Sequence, residues 1–560
     1  MGTTHNSSAG ASAGSHRSLK QLLSRWAAAV AGTDLPQPPA YDGPDVPLSR
    51  LVEHTDDVGP GAAFVARVRA TSDGHRYAAK AASLGAPLII GQKPRSTLDP
   101  SLPEDALYWQ VEDTAVTLSW LAAAWEDFPG RQLVMIGVTG TDGKTTTANF
   151  LYQILRAAGH RAGLLSTVRA VIGEKEEPLA LHVTTPEAPV VQRYLRRMCD
   201  AGLTHCVLEA TSHALAQHRV DSVDFDVAVV TNITHEHLDY HGDYDAYFAA
   251  KARLVQMLQS QSWAKPTRNR YKFTLSKTAI LNRDDRSYAQ LSAIPVAVQL
   301  SYGAQHAADV RVHNLRFQAD ATRFSLNLGV EDIEITSPFV GRFNVYNMAA
   351  AATAARALHI SGPNVKAGLE SLRSLSGRME RIDEGQPFLT VVDFAHTPNA
   401  LRKAIAAARG MTEGKVITVF GSAGKRDVAK RRLMAEISAQ EADYTVLTAE
   451  DPRTESLDEI LAAMAAGCRA EGGVEGETFW RVPDRGRAIY FALSLAQPDD
   501  LVLICGKGHE QSMCFGVTEF PWDDPRATRR ALRALLQGQP PPDSGLPTFE
   551  EEADVDLPSA

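Results

Sequence analysis

The chain has 560 residues, 44% of them hydrophobic and 22% charged, with a formal net charge of −9. That length exceeds what one hydrophobic core supports, so several domains are expected. The negative balance argues against a nucleic-acid binder, because no broad cationic field is available to neutralise phosphates. Five cysteines, Cys199, Cys206, Cys468, Cys505 and Cys514, are scattered without paired metal-ligand spacing. Reduced thiols and a cytoplasmic location fit that pattern, and no apolar run approaches a membrane span.

Residues 1–17 are rich in Ser, Gly and Ala and are expected to be disordered. Leu19 to Val30 has helical apolar spacing. Phe64 to Ala66 and Pro87 to Ile90 read as short strands around a helix at Ala78 to Leu84, in an α/β module that ends near Gly130. A central domain, 131–375, follows. In it the strand candidates Ala162–Leu165, Thr204–Glu209, Val227–Asn232 and Ala279–Asn282 alternate with amphipathic helices, the pattern of a parallel sheet with crossover helices. The basic stretch Gln259 to Lys277 reads as a solvated surface insertion in preference to a nucleic-acid patch. A third α/β block, 376–540, has the look of a Rossmann-like domain, with strands at Phe388–Asp393, Val416–Phe420, Tyr444–Thr448 and Asp500–Cys505. Residues 541–560 read as an acidic tail.

The chemistry centres on Val134 to Thr147. An apolar strand runs into Gly140-Thr-Asp-Gly143-Lys144-Thr145-Thr146, and a helix follows. Such a turn aims backbone N–H groups and a helix dipole at an anion, while Lys144 and Thr145 can serve a phosphate and its Mg²⁺. The motif is a P-loop of shortened spacing, since Val138 stands where the standard pattern wants glycine. Glu209 and the run Asn232 to Gly242, with His237, follow two strands and offer oxygen and imidazole ligands for a metal beside a triphosphate. In the last block, Asp393 to Asn399, Gly421 to Asp427, Glu450 to Glu455 and Gly506 to Glu510 each follow a strand. Together they form a ring of acids and arginines suited to a zwitterion or polyanion. Lys251, on a helix with apolar neighbours, reads by pattern alone as a snorkelling surface lysine.

At these residues the sequence resembles the Mur ligase family, most closely its MurE type, from about Pro60 to Asp524. The specific marks are Thr139-Gly-Thr-Asp-Gly-Lys-Thr-Thr146, Thr184-Thr-Pro186, Glu209 with Ser212-His213, His237 to Gly242, Ala250-Lys251, Gly341 to Asn347, Gly377 to Arg381, Asp393 to Pro398 and Gly506 to Glu510. The resemblance implies three α/β domains: a uridine-nucleotide domain at 18–130, the ATP-binding domain and an amino-acid-binding domain. It implies ATP-dependent addition of a diamino acid to UDP-MurNAc-L-Ala-D-Glu through an acyl phosphate, with ATP and two Mg²⁺ ions, by a monomer.

The same resemblance implies roles residue by residue. Lys144, Lys251, His237 and Asp393 would be catalytic. Gly140, Thr141, Asp142, Gly143, Lys144, Thr145, Thr146, Asn344, Asn347 and Arg381 would bind ATP. Thr145, Glu209, His237 and Lys251, as a carbamate, would hold the metal. Thr184, Thr185, Ser212, Gln217 and Arg219 would hold the muropeptide, and Arg426, Asp451, Pro452, Arg453, Gly506 and Glu510 the amino acid.

Three departures stand out. Asp142 replaces the usual Asn and sets a carboxylate beside phosphates. Glu53 to Val58 stands where Asp-Ser-Arg is expected. The specificity loop reads Glu450-Asp451-Pro452-Arg453 against Asp-Asn-Pro-Arg in diaminopimelate enzymes. Arg453 suits a distal carboxylate and Asp451 a distal ammonium, so the reading leans to meso-diaminopimelate and leaves L-lysine and L-ornithine open. A folylpolyglutamate-synthetase-like ligase and a non-catalytic MurE-like binding protein are the alternatives.

Overall fold

The computed structural model describes residues 17–69, 72–178, 185–234, 238–259, 269–318 and 321–549. Thr184, His237, residues 260–268 of the basic stretch, residues 1–16 and the end of the acidic tail lie outside the described residues.

The N-terminal module carries a four-stranded parallel sheet in the order Arg50–Val52, Ala62–Val65, Leu88–Gly91, Tyr108–Gln110. Helices Leu19–Val30 and Thr114–Trp125 cover it by stacking Trp26 on Trp120, ring centroids 5.7 Å apart.

The central domain is built on an eleven-stranded sheet. Val134–Thr139 lies inside it, flanked by His205–Glu209 and Phe225–Val230, both parallel to it. Every residue of Val134–Thr139 is buried, and its side chains serve two cores in alternation. Val134, Ile136 and Val138 face the helices Lys144–Ala157 and Arg342–Ala357, while Met135 faces the other layer with Leu195 and Leu254. The expected parallel sheet is therefore found in the middle but not at the edges. Arg169–Ile172 and Lys175–Pro178 close one edge, and Thr322–Asn327 and Asp332–Ser337 the other, all antiparallel. Asp332–Ser337 alternates exposed and buried residues, as a strand with one face in water must.

The basic stretch is corrected in part. Lys272 is buried, with Nζ 3.1 Å from Asp224 Oδ2 and paired also with Asp226, so this lysine neutralises buried carboxylates and is not solvated.

The C-terminal domain has six strands ordered Glu380–Arg381, Leu389–Asp393, Leu501–Cys505, Val416–Phe420, Tyr444–Leu447, Phe479–Arg481, parallel except for the first pair. All four polar loops singled out in the sequence leave its carboxyl ends, where open α/β sheets bind ligands. The α/β class and the three-domain architecture are as expected. Beyond residue 540 the chain still packs: Leu546 is buried and Ser544 Oγ donates to Asp484 Oδ2 at 2.7 Å.

Candidate functional site

The central and C-terminal domains face each other across a cleft of about 1250 Å³. Its floor is the phosphate loop. Gly143 takes φ +81°, and a Cβ there would lie 2.1 Å from Asn347 Oδ1, so only glycine lets the loop close against the helix Arg342–Ala357. The next residue, Lys144, opens the helix Lys144–Ala157. Lys144 Nζ donates to the carbonyls of Gly140 at 3.1 Å and Thr141 at 2.8 Å. Thr141 is fixed behind it by its N–H to Asn232 O at 2.7 Å and by Tyr247 OH, 3.0 Å from its Oγ1. Asn344 and Asn347 are joined at 3.2 Å and line the same wall.

Glu209 ends its strand directly behind the loop. Its Oε2 accepts from Thr145 Oγ1 and from Thr167 Oγ1, both at 3.0 Å, and Oε1 accepts from Thr167 N at 3.1 Å. Burial raises this carboxyl; Lys144, Thr167 and Arg378 oppose that rise. Lys251, against the pattern reading, is buried, and its Nζ donates to Gly140 O at 2.6 Å. Two ammonium groups thus converge on one carbonyl.

Thr185 Oγ1 donates to Glu209 O at 2.8 Å, which sets the next segment beside the acid. Arg219 then gathers it: Nη1 donates to Thr185 O at 2.7 Å, Nη2 to Gln217 Oε1 at 2.7 Å, and the guanidinium pairs with Glu187 at 2.8 Å. Ser212 and Arg219 line the cleft, with Thr185 and Gln217 immediately behind. Glu53 pairs with Arg69 at 2.8 Å and with Arg67 at 3.4 Å, and Arg67 also lies 3.8 Å from Glu187. The departure at Glu53 thus makes a charged joint between the N-terminal module and the central domain.

The opposite wall carries Asp393, Arg426, Asp451, Arg453, Gly506 and Glu510, with Pro452 buried beneath. Asp451 and Arg453 have φ of +41° and +55°, a left-handed backbone uncommon for such residues and found at ligand-binding loops. Lys507, almost fully buried, joins the acids: Nζ lies 2.9 Å from Asp451 Oδ1 and 2.6 Å from Glu510 Oε2. Glu450 Oε2 is buried without a hydrogen-bond partner, and burial pushes this carboxyl up to about 7.

One sequence expectation is corrected. Arg381 lies exposed on its edge strand and is not among the residues lining the cleft. Arg378, three residues earlier, lines it. Gly377 has φ +60°, and a Cβ on it would sit 2.2 Å from the carbonyl carbon of Gly508, so two main chains touch there. That contact sends Arg378 inward, over the Phe394 ring at 4.5 Å and 3.5 Å from Thr145 Oγ1. Both arginines belong to one short motif, and only the positive φ before Arg378 distinguishes them. Thr167 and Lys403 also line the cleft, where the sequence reading did not expect them. Lys507 and Glu450 sat inside quoted motifs, whereas nothing in the sequence marked Lys403 or Thr167.

Fold and site together define a P-loop ATP-dependent ligase whose last domain stands over its phosphate loop. Residues 138–355 match the Mur ligase middle domain, and residues 377–508 the Mur ligase glutamate ligase domain. The chain is 42% identical over 506 residues to the UDP-N-acetylmuramyl-tripeptide synthetase of Roseiflexus sp. (strain RS-1), covering 89% of this chain and 97% of that one. It is 37% identical over 504 residues to the UDP-N-acetylmuramoyl-L-alanyl-D-glutamate--2,6-diaminopimelate ligase of Bacillus licheniformis, with 90% and 98% covered. A solved structure of a UDP-N-acetylmuramoyl-L-alanyl-D-glutamate--2,6-diaminopimelate ligase superposes with a TM-score of 0.58 at 28% identity, over 88% of this chain and 96% of that one. The chain belongs to the Mur ligase family and is of the MurE type.

Proposed function

We propose that the protein joins a diamino acid to the D-glutamate of UDP-MurNAc-L-Ala-D-Glu at the expense of ATP, acting as a cytoplasmic monomer with domain boundaries near residues 130 and 375. One observation carries the reading. The phosphate loop, with Thr145 bonded to Glu209, faces Arg426, Asp451, Arg453 and Glu510 across a single cleft. One wall suits a polyphosphate and the other a zwitterion. The names of the relatives agree with it.

The residues present fit Mg²⁺, which takes hard oxygen ligands. The Thr145 hydroxyl and the Glu209 carboxylate lie together behind the loop, and carbamylation of Lys251 would add a second carboxylate and replace one of two adjacent positive charges. Thr145, Glu209, carbamylated Lys251 and His237 would hold two ions. Bound there, they supply neutralising charge to the polyphosphate.

Arg219 and Ser212 hold the muropeptide with its D-glutamate side chain towards the loop. That carboxylate attacks the γ-phosphorus of ATP, an O–P bond forms, and the bond to ADP breaks. Lys144 and Arg378 would offset the charge of the transferring group. The amino group then attacks the acyl carbon, a C–N bond forms, inorganic phosphate leaves and the nitrogen loses a proton. Arg426 and Arg453 would grip carboxylates, and Glu510 the ammonium.

Within the amino-acid loop, the added charge of Asp451 is already matched, since its Oδ1 accepts from Lys507 Nζ and Cys514 N, both at 2.9 Å. Arg453 lines the cleft with a buried Nε that has no hydrogen-bond partner. That balance supports a distal carboxylate, hence meso-diaminopimelate. Phosphate release with ATP, Mg²⁺ and UDP-MurNAc-L-Ala-D-Glu, offered meso-diaminopimelate, L-lysine and L-ornithine separately, tests it. Stimulation by meso-diaminopimelate is expected, stimulation by L-lysine or L-ornithine reverses the specificity, and no stimulation by any of the three overturns the reading.

A further inference from the structure

Asp142 departs from the Asn of the resembled pattern, and the structure gives its extra carboxylate a partner from another domain. The backbone of Asp142 is pinned on both sides. Its N–H donates to Asn232 Oδ1 at 3.1 Å, and its carbonyl accepts from Thr231 Oγ1 at 2.6 Å and Asn232 Nδ2 at 3.1 Å. The side chain reaches across the cleft, where Oδ2 accepts from Lys403 Nζ at 3.1 Å and Asn399 Nδ2 at 3.5 Å. Those donors stand one turn apart on the helix Pro398–Arg409, so both present to the same face. Thr397 caps that helix by accepting from Ala400 N at 3.2 Å, which fixes it to the loop that leaves Asp393.

An acid in a phosphate loop repels the anion the loop is built to hold, unless a cation answers it. Lys144 is engaged with the loop carbonyls, and Arg378 feels the charges of Asp393, Glu209, Asp142 and Glu510 together. Among the described residues, Lys403 is the cation in direct contact with the Asp142 carboxylate.

We propose that Asp142 and Lys403 form a latch between the central and C-terminal domains, in which Lys403 cancels the repulsion of the loop carboxylate for the nucleotide and makes that cancellation conditional on domain closure. The inference rests on the proposed function, which takes the phosphate loop as the ATP site. Lys403 is thus a positioning residue for the nucleotide, and Asp142 is what makes the chain depend on it.

The test is a double-mutant cycle on the full chain, reading binding of ADP with Mg²⁺ by calorimetry. Lys403→Ala is expected to weaken ADP binding by about tenfold where Asp142 is present, and by less than about threefold in Asp142→Asn. Lys403→Arg, which keeps the charge, should stay within about threefold of the unaltered chain, and added salt should narrow the gap between Lys403→Ala and the unaltered chain. Equal losses from Lys403→Ala in both backgrounds, or a loss with Lys403→Arg as large as with Ala, overturn the latch. Failure of the unaltered chain to bind ADP overturns the reading of the loop itself, and the latch with it.

Discussion

Lys144 Nζ and Lys251 Nζ donate to one carbonyl, that of Gly140, at 3.1 and 2.6 Å. Two ammonium groups so placed repel each other. Conversion of Lys251 to a carbamate turns that repulsion into attraction. Lys251→Ala is expected to lower ligation by about a thousandfold, the scale of a lost preorganised charge, with short carboxylic acids restoring part of it. The assay is phosphate release with and without added formate. Undiminished activity in the variant would remove the carbamate from the mechanism.

Arg378 and Arg381 separate cleanly in prediction. Arg378→Ala, which removes a half-buried guanidinium 3.5 Å from Thr145 Oγ1, should cost about 10²-fold or more in kcat. Arg381→Ala, on an exposed edge, should stay within about twofold. Equal losses in steady-state kinetics would restore Arg381 to the site.

How much of this was legible follows from sequence distance. The strand, glycine turn and helix from Val134 to Ala157 are local, so pattern alone located the phosphate loop. Burial of Lys251 depends on Gly140, more than a hundred residues away, and only the family resemblance hinted at it. The choice between Arg378 and Arg381 depends on Gly377 meeting Gly508. Lys272 looked solvated because Asp224 and Asp226, which bury it, lie on another element. The antiparallel edges escaped because the strands there, such as Asp332–Ser337, are half exposed and weakly apolar.

Glu450 gives stability a pH dependence. Its folded value, about 7, lies above the ordinary glutamate value of 4.5, with burial the main cause. Between those values the unfolded chain is charged at this carboxyl and the folded chain is not, so unfolding releases a proton. The stabilising effect is fully present below pH 4.5, falls as pH rises and is lost once pH passes about 7. Melting temperatures of Glu450→Gln should therefore fall less steeply than those of the unaltered chain across this window. Parallel profiles would refute the raised value.

Arg485 and Asp524 form a fully buried pair, 2.6 Å apart, that also binds Cys505 O at 2.8 Å, Ala449 O at 3.2 Å and Gly508 N at 3.2 Å. The pair holds the loops that follow Ala449 and Cys505 at their roots. Arg485→Ala leaves the Asp524 carboxylate buried without its cation, held by Gly508 N and Trp522 Nε1, and should cost about 3–5 kcal/mol in denaturant unfolding. A loss below about 1 kcal/mol would mean the loops are held by other contacts.

The contact of Gly377 with Gly508 has no side chain to absorb movement. Displacement of the linker bearing Arg378 is therefore expected to displace the loop leading to Glu510 as well. On the proposed function, thermodynamic reciprocity then applies: any factor by which the amino acid tightens nucleotide binding is the factor by which the nucleotide tightens the amino acid. An enzyme so joined would sense the scarcity of one substrate as a weakened grip on the other.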